Sequence, residues 1–290
     1  MLLGAHMSIE GGLGESLIRG KKIGCDTIQI FVKSNLQWKA RDIKNFEIQE
    51  FFLNKRETKI EPVIAHSSYL INLASYNKRI RNLSIKSFRE ELKIAKKLKI
   101  PYFIFHPGYH KGAGLKKGIK LIAKALNQII SKDDFKIIIL LENTSGQGSS
   151  IGYRFEQLVD IINLVNKKKR IGVCFDTCHV FSAGYEIRNI KDYEKTFEEF
   201  EKIIGIKRLK VFHLNDSKGS LGSRIDRHQH IGKGNLGLEP FRFILNDKRF
   251  QNIPMIIETP KDDGYKKDIE NLTILRSLIK NTKYNSKSSL

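Results

Sequence analysis

The sequence predicts a single (β/α)8 barrel, and three observations support that fold class. Eight short apolar runs, rich in β-branched and aromatic residues, recur along a chain of 290 residues, a length that suits one large barrel domain. Segments with apolar residues at three- and four-residue spacing, the pattern of amphipathic helices, lie between most of these runs. The runs themselves are almost continuously apolar, as expected of parallel strands that are covered on both faces.

The elements follow one another along the whole chain. The predicted strands are LLGAH (2–6), TIQIFV (27–32), PVIAH (62–66), YFIFH (102–106), KIIILLE (136–142), IGVCFD (171–176), LKVFHL (209–214) and PMIIE (254–258). The clearest helical patterns are SIKSFREELKIAKKL (84–98), KKGIKLIAKALNQII (116–130), RFEQLVDIINLV (154–165) and TFEEFEKIIG (196–205). A doubly wound sheet is the alternative, but no G-x-G-x-x-G motif follows the first strand. Because no linker interrupts the pattern, we expect residues 1–280 to form one domain and residues 281–290 a flexible tail.

Composition narrows the class of protein. No apolar stretch reaches eighteen residues and the N-terminus lacks a signal-peptide pattern, so we expect a cytoplasmic protein that does not contact membranes. Three cysteines form an odd and sparse set that argues against a disulfide framework, and we interpret Cys174 and Cys178 as a buried strand residue and a loop thiol rather than zinc ligands. The formal net charge of +21 favours a polyanionic partner such as DNA.

Acidic and imidazole side chains stand at or next to the ends of seven of the eight predicted strands. They are His6, His66, His106, Glu142, Asp176, His213 and Glu258. The C-terminal ends of barrel strands form the mouth in which active sites are built, so these side chains should converge. Carboxylates desolvated together without partners would be costly, and multivalent cations remove that cost. The ligand types suit zinc, manganese or iron rather than magnesium.

Two further clusters follow the sixth and seventh predicted strands. In DTCH, His179 stands three residues after Asp176. In DRHQH, Asp226 and His228 are two residues apart, so in an extended segment their side chains share a face and can bind one ion. His230 shares that face and is the competing candidate.

Long segments of specific polar residues surround these positions. They are AHSSYLINLAS (65–75), FHPGYH (105–110), LENTSGQGSSIG (141–152), CFDTCHVFSAGYE (174–186), FHLNDSKGSLGSRIDRHQHIGKGN (212–235) and IIETP (256–260). Together they resemble the endonuclease IV family of apurinic/apyrimidinic endonucleases over nearly the whole length of the chain. The resemblance implies a metal-dependent enzyme of DNA base excision repair. Such an enzyme hydrolyses the phosphodiester on the 5′ side of an abasic site, leaving a 3′-hydroxyl and a 5′ deoxyribose phosphate, and also processes blocked 3′ ends as a phosphodiesterase and phosphatase.

The resemblance also implies a site for three Zn²⁺ ions, with Mn²⁺ as an alternative. It assigns His66, His106 and Glu142 to the first ion. It assigns Glu142, Asp176, His213 and Glu258 to the second ion, and His179, Asp226 and His228 to the third. Glu142 bridges two ions, and Glu142 and Glu258 are the expected catalytic carboxylates. His6, His110 and His230 are left outside the ligand set. We expect a monomer that binds double-stranded DNA and is associated with the nucleoid through it.

Two segments are candidates for reading the DNA. Tyr69 and Leu70 follow His66 and form a candidate wedge for the gap in the base stack, because an aromatic ring can stack on bases and a leucine can support a kink. The alternative is a helix that begins here and packs both side chains inward. After the second strand, the candidate DNA contacts are Lys33, Asn35, Leu36 and Gln37. Many relatives carry an arginine where Leu36 stands, so this position is expected to act as an apolar wedge instead.

Two other classes of protein compete with a nuclease. Sugar isomerases and epimerases use the same barrel with His, Asp and Glu metal ligands, but the third cluster and the charge of +21 suit their small uncharged substrates poorly. A DNA-binding protein with a structural metal is the second alternative. Structural zinc sites are closed and usually rich in cysteine, which this set of candidates is not.

Overall fold

The computed structural model describes residues 1–131 and 136–280, and it confirms the predicted barrel. Ten strands occur in these ranges: β1 (Leu3–His6), β2 (Thr27–Phe31), β3 (Val63–His66), β4 (Tyr102–Phe105), β5 (Ile138–Glu142), β6 (Ile171–Asp176), β7 (Leu209–His213), β8 (Asp216–Ser217), β9 (His228–Gln229) and β10 (Met255–Ile257). Strands β1 to β7 and β10 pair in parallel and close into one barrel, with β10 between β7 and β1. Each lies within a predicted run. The tail predicted for residues 281–290 lies outside the described residues.

Helices cover the outside of the barrel. They are α1 (Glu15–Lys22), α2 (Asn45–Thr58), α3 (Lys78–Lys97), α4 (Leu115–Ser131), α5 (Phe155–Leu164), α6 (Thr177–Ser182), α7 (Ile190–Ile203), α8 (Glu239–Asn246) and α9 (Lys266–Ser277). Helices α3 and α7 begin about one and a half turns before the predicted patterns. The cause is an asparagine cap at each start, since the Asn77 side chain accepts the N–H of Ile80 and the Asn189 side chain accepts the N–H of Asp192. None of the helices in residues 1–131 and 136–280 is both long enough and apolar enough to span a bilayer.

A small apolar cluster, which we name the interior plug, fills the barrel below its mouth. It consists of Ile64, Ile104, Leu140, Cys174, Val211 and Ile256, all fully buried. Each of these residues stands two positions before one of the predicted strand-end ligands. Because side chains alternate along a strand, residues two apart point the same way. The plug therefore forms the floor on which the ligand side chains lie.

A larger apolar layer lies between the barrel and the helices. Phe88 of α3 packs edge-on against Phe103 and Phe105 of β4, with ring centroids 5.1 Å apart in each pair. The rings of Phe175 and Phe197 stack between β6 and α7 with centroids 5.0 Å apart. This layer holds the strands rigidly in register, and that rigidity fixes the positions of the side chains at the strand ends.

Candidate metal centre

The structure gathers the nine predicted ligand side chains into three groups at the C-terminal mouth of the barrel. The groups are His66, His106 and Glu142; Glu142, Asp176, His213 and Glu258; and His179, Asp226 and His228. In each group the potential ligand atoms all lie within 4.8 Å of one another. Glu142 belongs to two of the groups, so its position allows it to bridge two ions.

Glu142 ends β5 at the centre of the site and is fully buried. Its Oε2 atom lies 3.0 Å from Nε2 of both His66 and His106. Its Oε1 atom lies 2.9 Å from Nδ1 of His213 and 3.4 Å from Nδ1 of His179. Burial alone would raise the pKa of this carboxyl, but the surrounding imidazoles, His106 and His213 first, hold its pKa well below the usual value. Glu142 is therefore a buried carboxylate anion that faces four imidazoles.

The third group is built on the start of α6. Asp176 ends β6 and caps the helix, because its Oδ1 atom accepts the His179 N–H at 2.8 Å. The helix then places Nε2 of His179 3.1 Å from Oδ1 of Asp226 and 3.3 Å from Nε2 of His228. Burial alone would lower the pKa of His179, but the carboxylates of Asp176 and Asp226 raise it well above the usual value. Strand β9, paired with β8, brings His228 to this position.

Gln29, which was not among the predicted site residues, joins three side chains of the site across the barrel. Its Oε1 atom accepts the Nε2–H of His213 at 2.7 Å, which leaves Nδ1 of that imidazole facing the carboxylates. Its Nε2 atom donates to Oε1 of Glu258 at 2.6 Å and lies 2.9 Å from Nδ1 of His6. His6 belongs to none of the three groups. The sign of Gln29 in the sequence was an amide residue in the middle of the apolar run TIQIFV.

Two asparagines, also not predicted, hold the ligands in place. Asn143 accepts the Asp176 N–H through Oδ1 at 2.7 Å, and its backbone carbonyl lies 2.9 Å from Nδ1 of His179. Asn215 donates to Oδ2 of Asp176 at 2.7 Å and accepts the Glu258 N–H at 2.7 Å. Partners of this kind orient metal ligands and set their basicity. The feature of the sequence that could have indicated them is that each asparagine stands one or two residues after a strand-end ligand.

The cysteines were interpreted as a buried strand residue and a loop thiol. Cys174 is buried in β6, but Cys178 is buried on α6 and not in a loop, because the Asp176 cap starts a helix there. Cys178 lies close enough to Asp176 and His228 to form a fourth group. However, burial raises the pKa of the Cys178 thiol to about 12, and the thiol donates to the carbonyl of Arg227 at 3.6 Å. Cys174 belongs to the interior plug, and burial raises its pKa to about 12 as well. Both thiols are therefore protonated in the metal-free protein.

The charge balance of the site fits bound cations. Four carboxylates, those of Glu142, Asp176, Asp226 and Glu258, lie together at the mouth, and within the described residues every ion pair that they form is with a histidine. A buried cluster of this kind is costly without cations, and divalent ions with nitrogen and oxygen ligands remove that cost. The residues present therefore fit a metal centre.

A cavity of about 480 Å³ opens from these groups to the surface. Its floor is lined by those members of the three groups that reach the surface, His66, His106, His179, Asp226, His228 and Glu258, and its rim by Lys218, Arg227 and Lys261. Tyr69 also lines the cavity. A rim of basic side chains around a floor that can hold cations suits an anionic chain such as a phosphodiester backbone.

Of the candidate wedge residues, Tyr69 lines this cavity. The side chain of Tyr69 is 68% exposed and that of Leu36 is 76% exposed, while Leu70 is half-buried. The ring of Tyr69 meets Phe31 edge-on, with centroids 5.3 Å apart. Residues 67–77 form an irregular loop and α3 begins only at Lys78, so the alternative of a helix that packs Tyr69 inward is wrong.

The prediction that Lys33 contacts DNA does not agree with its surroundings. Lys33 is only 6% exposed. Its ammonium group pairs with Glu91 at 3.2 Å and donates to the carbonyl oxygens of Ser34 and Gln37. Because these partners use its donors, Lys33 holds the loop instead of reaching phosphate. The other two candidates remain accessible, Asn35 being half-buried and the Gln37 side chain exposed.

Comparisons with known proteins agree with this geometry. A family model described as "Xylose isomerase-like TIM barrel" matches residues 18–277. The chain is 48% identical over 280 residues to a protein of Chloroflexus aggregans named "Probable endonuclease 4", and the match covers 96% of this chain and 98% of that protein. It is 46% identical over 279 residues to a protein of the same name from Geobacter sulfurreducens, with 96% and 94% of the two chains covered.

Two solved structures show the same fold. The crystal structure of endonuclease IV from Thermus thermophilus superposes with a TM-score of 0.84 at 30% identity, covering 96% of this chain and 98% of that one. A D-tagatose 3-epimerase-like protein superposes with a TM-score of 0.74 at 22% identity, covering 96% and 97%. At that identity the second likeness concerns the barrel alone, since unrelated activities share this fold.

Proposed function

We propose that this chain, which belongs to the endonuclease IV family, hydrolyses the phosphodiester bond on the 5′ side of an abasic site in double-stranded DNA. The products would be a 3′-hydroxyl and a 5′ deoxyribose phosphate. The observation that carries the proposal is the convergence of nine His, Asp and Glu side chains into three groups at one barrel mouth. Relatives that match the chain over almost its full length carry the name endonuclease 4, which supports the same substrate.

We propose three Zn²⁺ ions as the cofactor, with Mn²⁺ as the alternative. Three divalent ions and the four carboxylates would leave a net charge of 3 × 2 − 4 = +2, which favours a phosphodiester. Bound ions would polarise the phosphate and lower the pKa of water at neutral pH. His66 and His106 would hold the first ion together with Glu142. Two of the groups have three protein ligands each, which would leave the fourth position of a tetrahedral zinc for water or substrate.

Glu142 and Glu258 are the carboxylates to which we assign catalytic roles. The Glu142 side chain is fully buried, whereas that of Glu258 is 19% exposed and lines the cavity, so Glu258 is the one that substrate can approach. Burial alone would raise the pKa of Glu258, but His213 holds it well below the usual value. Glu258 would therefore be ionised beside a bound phosphate. Gln29 donates to its carboxylate, and Asn215 accepts its backbone N–H.

The same open cavity would also accept a phosphate at the 3′ end of a broken strand, so we propose a 3′-phosphodiesterase and 3′-phosphatase activity as well. We expect a monomer, because the DNA must lie across the mouth. A protein with this substrate works on the chromosome, and we retain the prediction of a cytoplasmic protein associated with the nucleoid. A sugar epimerase on the same barrel is disfavoured by the third group of ligands and by the basic rim of the cavity.

The decisive experiment uses a duplex that carries one tetrahydrofuran analogue of an abasic site. This analogue cannot undergo elimination, so a cut demonstrates hydrolysis. We expect the metal-replete protein to cut once on the 5′ side of the analogue and to lose this activity after treatment with a chelator, and added Zn²⁺ should restore the activity. Absence of cleavage by metal-replete protein would overturn the proposed function.

A further inference from the structure

A buried carboxylate on α3 is bonded to both of the loops that flank the cavity. Glu91 is only 1% exposed. Its Oε1 atom lies 3.2 Å from Nζ of Lys33, in the loop of residues 32–44 that follows β2. Its Oε2 atom accepts the N–H of Ser68 at 3.0 Å, in the loop of residues 67–77 that follows β3. We name these segments the β2–α2 loop and the β3–α3 loop.

The same face of α3 holds the β2–α2 loop at two more points. Ser87 donates its hydroxyl to the carbonyl of Trp38 at 2.8 Å. The carboxylate of Glu90 accepts the N–H of Ala40 at 3.2 Å. With the Lys33 contact, these bonds fix the loop near its start, its middle and its second half. The loop conformation therefore depends on α3 as well as on the loop's own residues.

The two loops carry the most exposed large apolar side chains of the described ranges. Leu36 projects from the β2–α2 loop and Tyr69 from the β3–α3 loop. The ring of Tyr69 also contacts Phe31, the last residue of β2, so the β3–α3 loop packs against the strand from which the β2–α2 loop starts. Leu36 and Tyr69 are the candidate wedge residues, and a wedge that enters a base stack has to be an exposed apolar or aromatic side chain.

We propose that Glu91 is a positioning residue that holds the two loops as one unit, so that Leu36 and Tyr69 meet the DNA together. This inference rests on the proposed function for the identity of the partner. A loop that is ordered before binding does not lose conformational freedom on binding, and the affinity for the substrate is higher for that reason. Glu91 lies behind the loops, so it would affect substrate affinity without touching the reacting atoms.

The chemistry of the pair supports a positioning role over a purely stabilising one. A buried ion pair adds little stability compared with apolar side chains of similar volume, and its best attested use is to specify one arrangement. Here both members of the pair also form hydrogen bonds with backbone groups of the loops. Lys33 donates to carbonyls of its own loop, and Glu91 accepts the backbone N–H of Ser68. Apolar replacements would fill the space but could not make these bonds.

The test is Glu91→Gln, with Asp247→Asn as the matched control. Asp247 also accepts bonds from two side chains, Tyr193 and Arg249, but it lies before β10 at the opposite end of the barrel. For the tetrahydrofuran duplex we expect Glu91→Gln to raise KM about tenfold, since loop order is lost, and to leave kcat within about twofold. The control should change neither constant, and both variants should keep the zinc content of the wild type.

Trp38 provides a readout that does not depend on turnover. It is the only tryptophan of the chain and lies in the β2–α2 loop, so its fluorescence anisotropy reports the motion of that loop. We expect a lower anisotropy in Glu91→Gln than in the wild type or the control. If Glu91→Gln does not fold, the double variant Lys33→Met/Glu91→Leu can be used for the same test, because it removes both charges and leaves neither group unpaired. We expect the same raised KM and lower anisotropy from it.

The outcomes separate the two proposals. If the wild type does not cleave the analogue, the proposed function fails, and the anisotropy of Trp38 still shows whether Glu91 orders the loop. If the wild type cleaves and a folded Glu91 variant keeps the wild-type KM and anisotropy, the positioning role is wrong. A fall in kcat at unchanged KM would also overturn it, because that pattern belongs to the reaction centre.

Discussion

Replacement of Gln29 by leucine should weaken the binding of zinc by the group of Glu142, Asp176, His213 and Glu258. Gln29 accepts the Nε2–H of His213 and donates to Glu258, so it sets which imidazole nitrogen faces the carboxylates. Loss of such an outer partner typically reduces metal affinity by about 10- to 100-fold. A loss of that size corresponds to roughly 1.4 to 2.8 kcal/mol of binding free energy.

The structure gives an independent magnitude for the folded protein. Leucine fills nearly the same volume, but it leaves the His213 N–H and one Glu258 oxygen without their partner. His213 is fully buried, so its unsatisfied N–H should cost about 1–3 kcal/mol, and the loss at the partly exposed Glu258 should lie toward the lower end of that range. The free energy of unfolding of the metal-free protein should therefore fall by roughly 2–4 kcal/mol.

The measurement is a competition titration of metal-free protein against a chromophoric zinc chelator, with urea unfolding run in parallel. Gln128→Leu is the control, because Gln128 is an exposed glutamine on α4. We expect the control to keep the zinc affinity and stoichiometry of the wild type. If Gln29→Leu also kept both, the argument that Gln29 orients His213 would be refuted.

Three further predictions concern the metal centre and the DNA surface. Glu258→Gln should reduce kcat for incision of abasic DNA by orders of magnitude, because it removes an ionised carboxylate at the cavity, and full turnover would contradict its assigned role. Tyr69→Ala should weaken binding to abasic DNA far more than to intact duplex in an equilibrium binding assay, and equal losses would exclude a wedge. The carboxylates of Asp176 and Asp226 outweigh burial and raise the pKa of His179 well above the usual value, so in the metal-free protein this imidazole is protonated at neutral pH. Zinc must displace this proton, and the zinc affinity, measured by competition titration, should rise with pH through neutrality by about tenfold per unit. An affinity that is flat between pH 6 and 8 would rule out that coupling.

The barrel and the groups of site residues follow from local features of the sequence. Each strand is a short apolar run, and parallel strands in a closed barrel bring their C-terminal ends to one mouth. A residue at the end of a run is therefore placed near the others whatever the detail of the loops. For that reason His66 and Glu258, almost two hundred residues apart, could be assigned to one site from their positions alone.

The contacts that were missed depend on packing across the barrel. Gln29 meets Glu258 only because the barrel closes, and the two residues are 229 positions apart. Lys33 was predicted to contact DNA, and most lysines are exposed, but Glu91 on α3 provides a buried partner that no local pattern indicates. Local sequence identifies which residues can do chemistry, whereas the choice of partner for a polar side chain is decided by the tertiary structure.

The interior plug restricts how metal ions can enter and leave the site. Apolar side chains close the barrel beneath Glu142 and its neighbours, so the cavity at the mouth is the route by which ions can enter and leave. DNA that lies across the mouth would cover the same route. Bound substrate should then trap the ions kinetically, and a chelator added after the DNA should inactivate the enzyme much more slowly than one added before it.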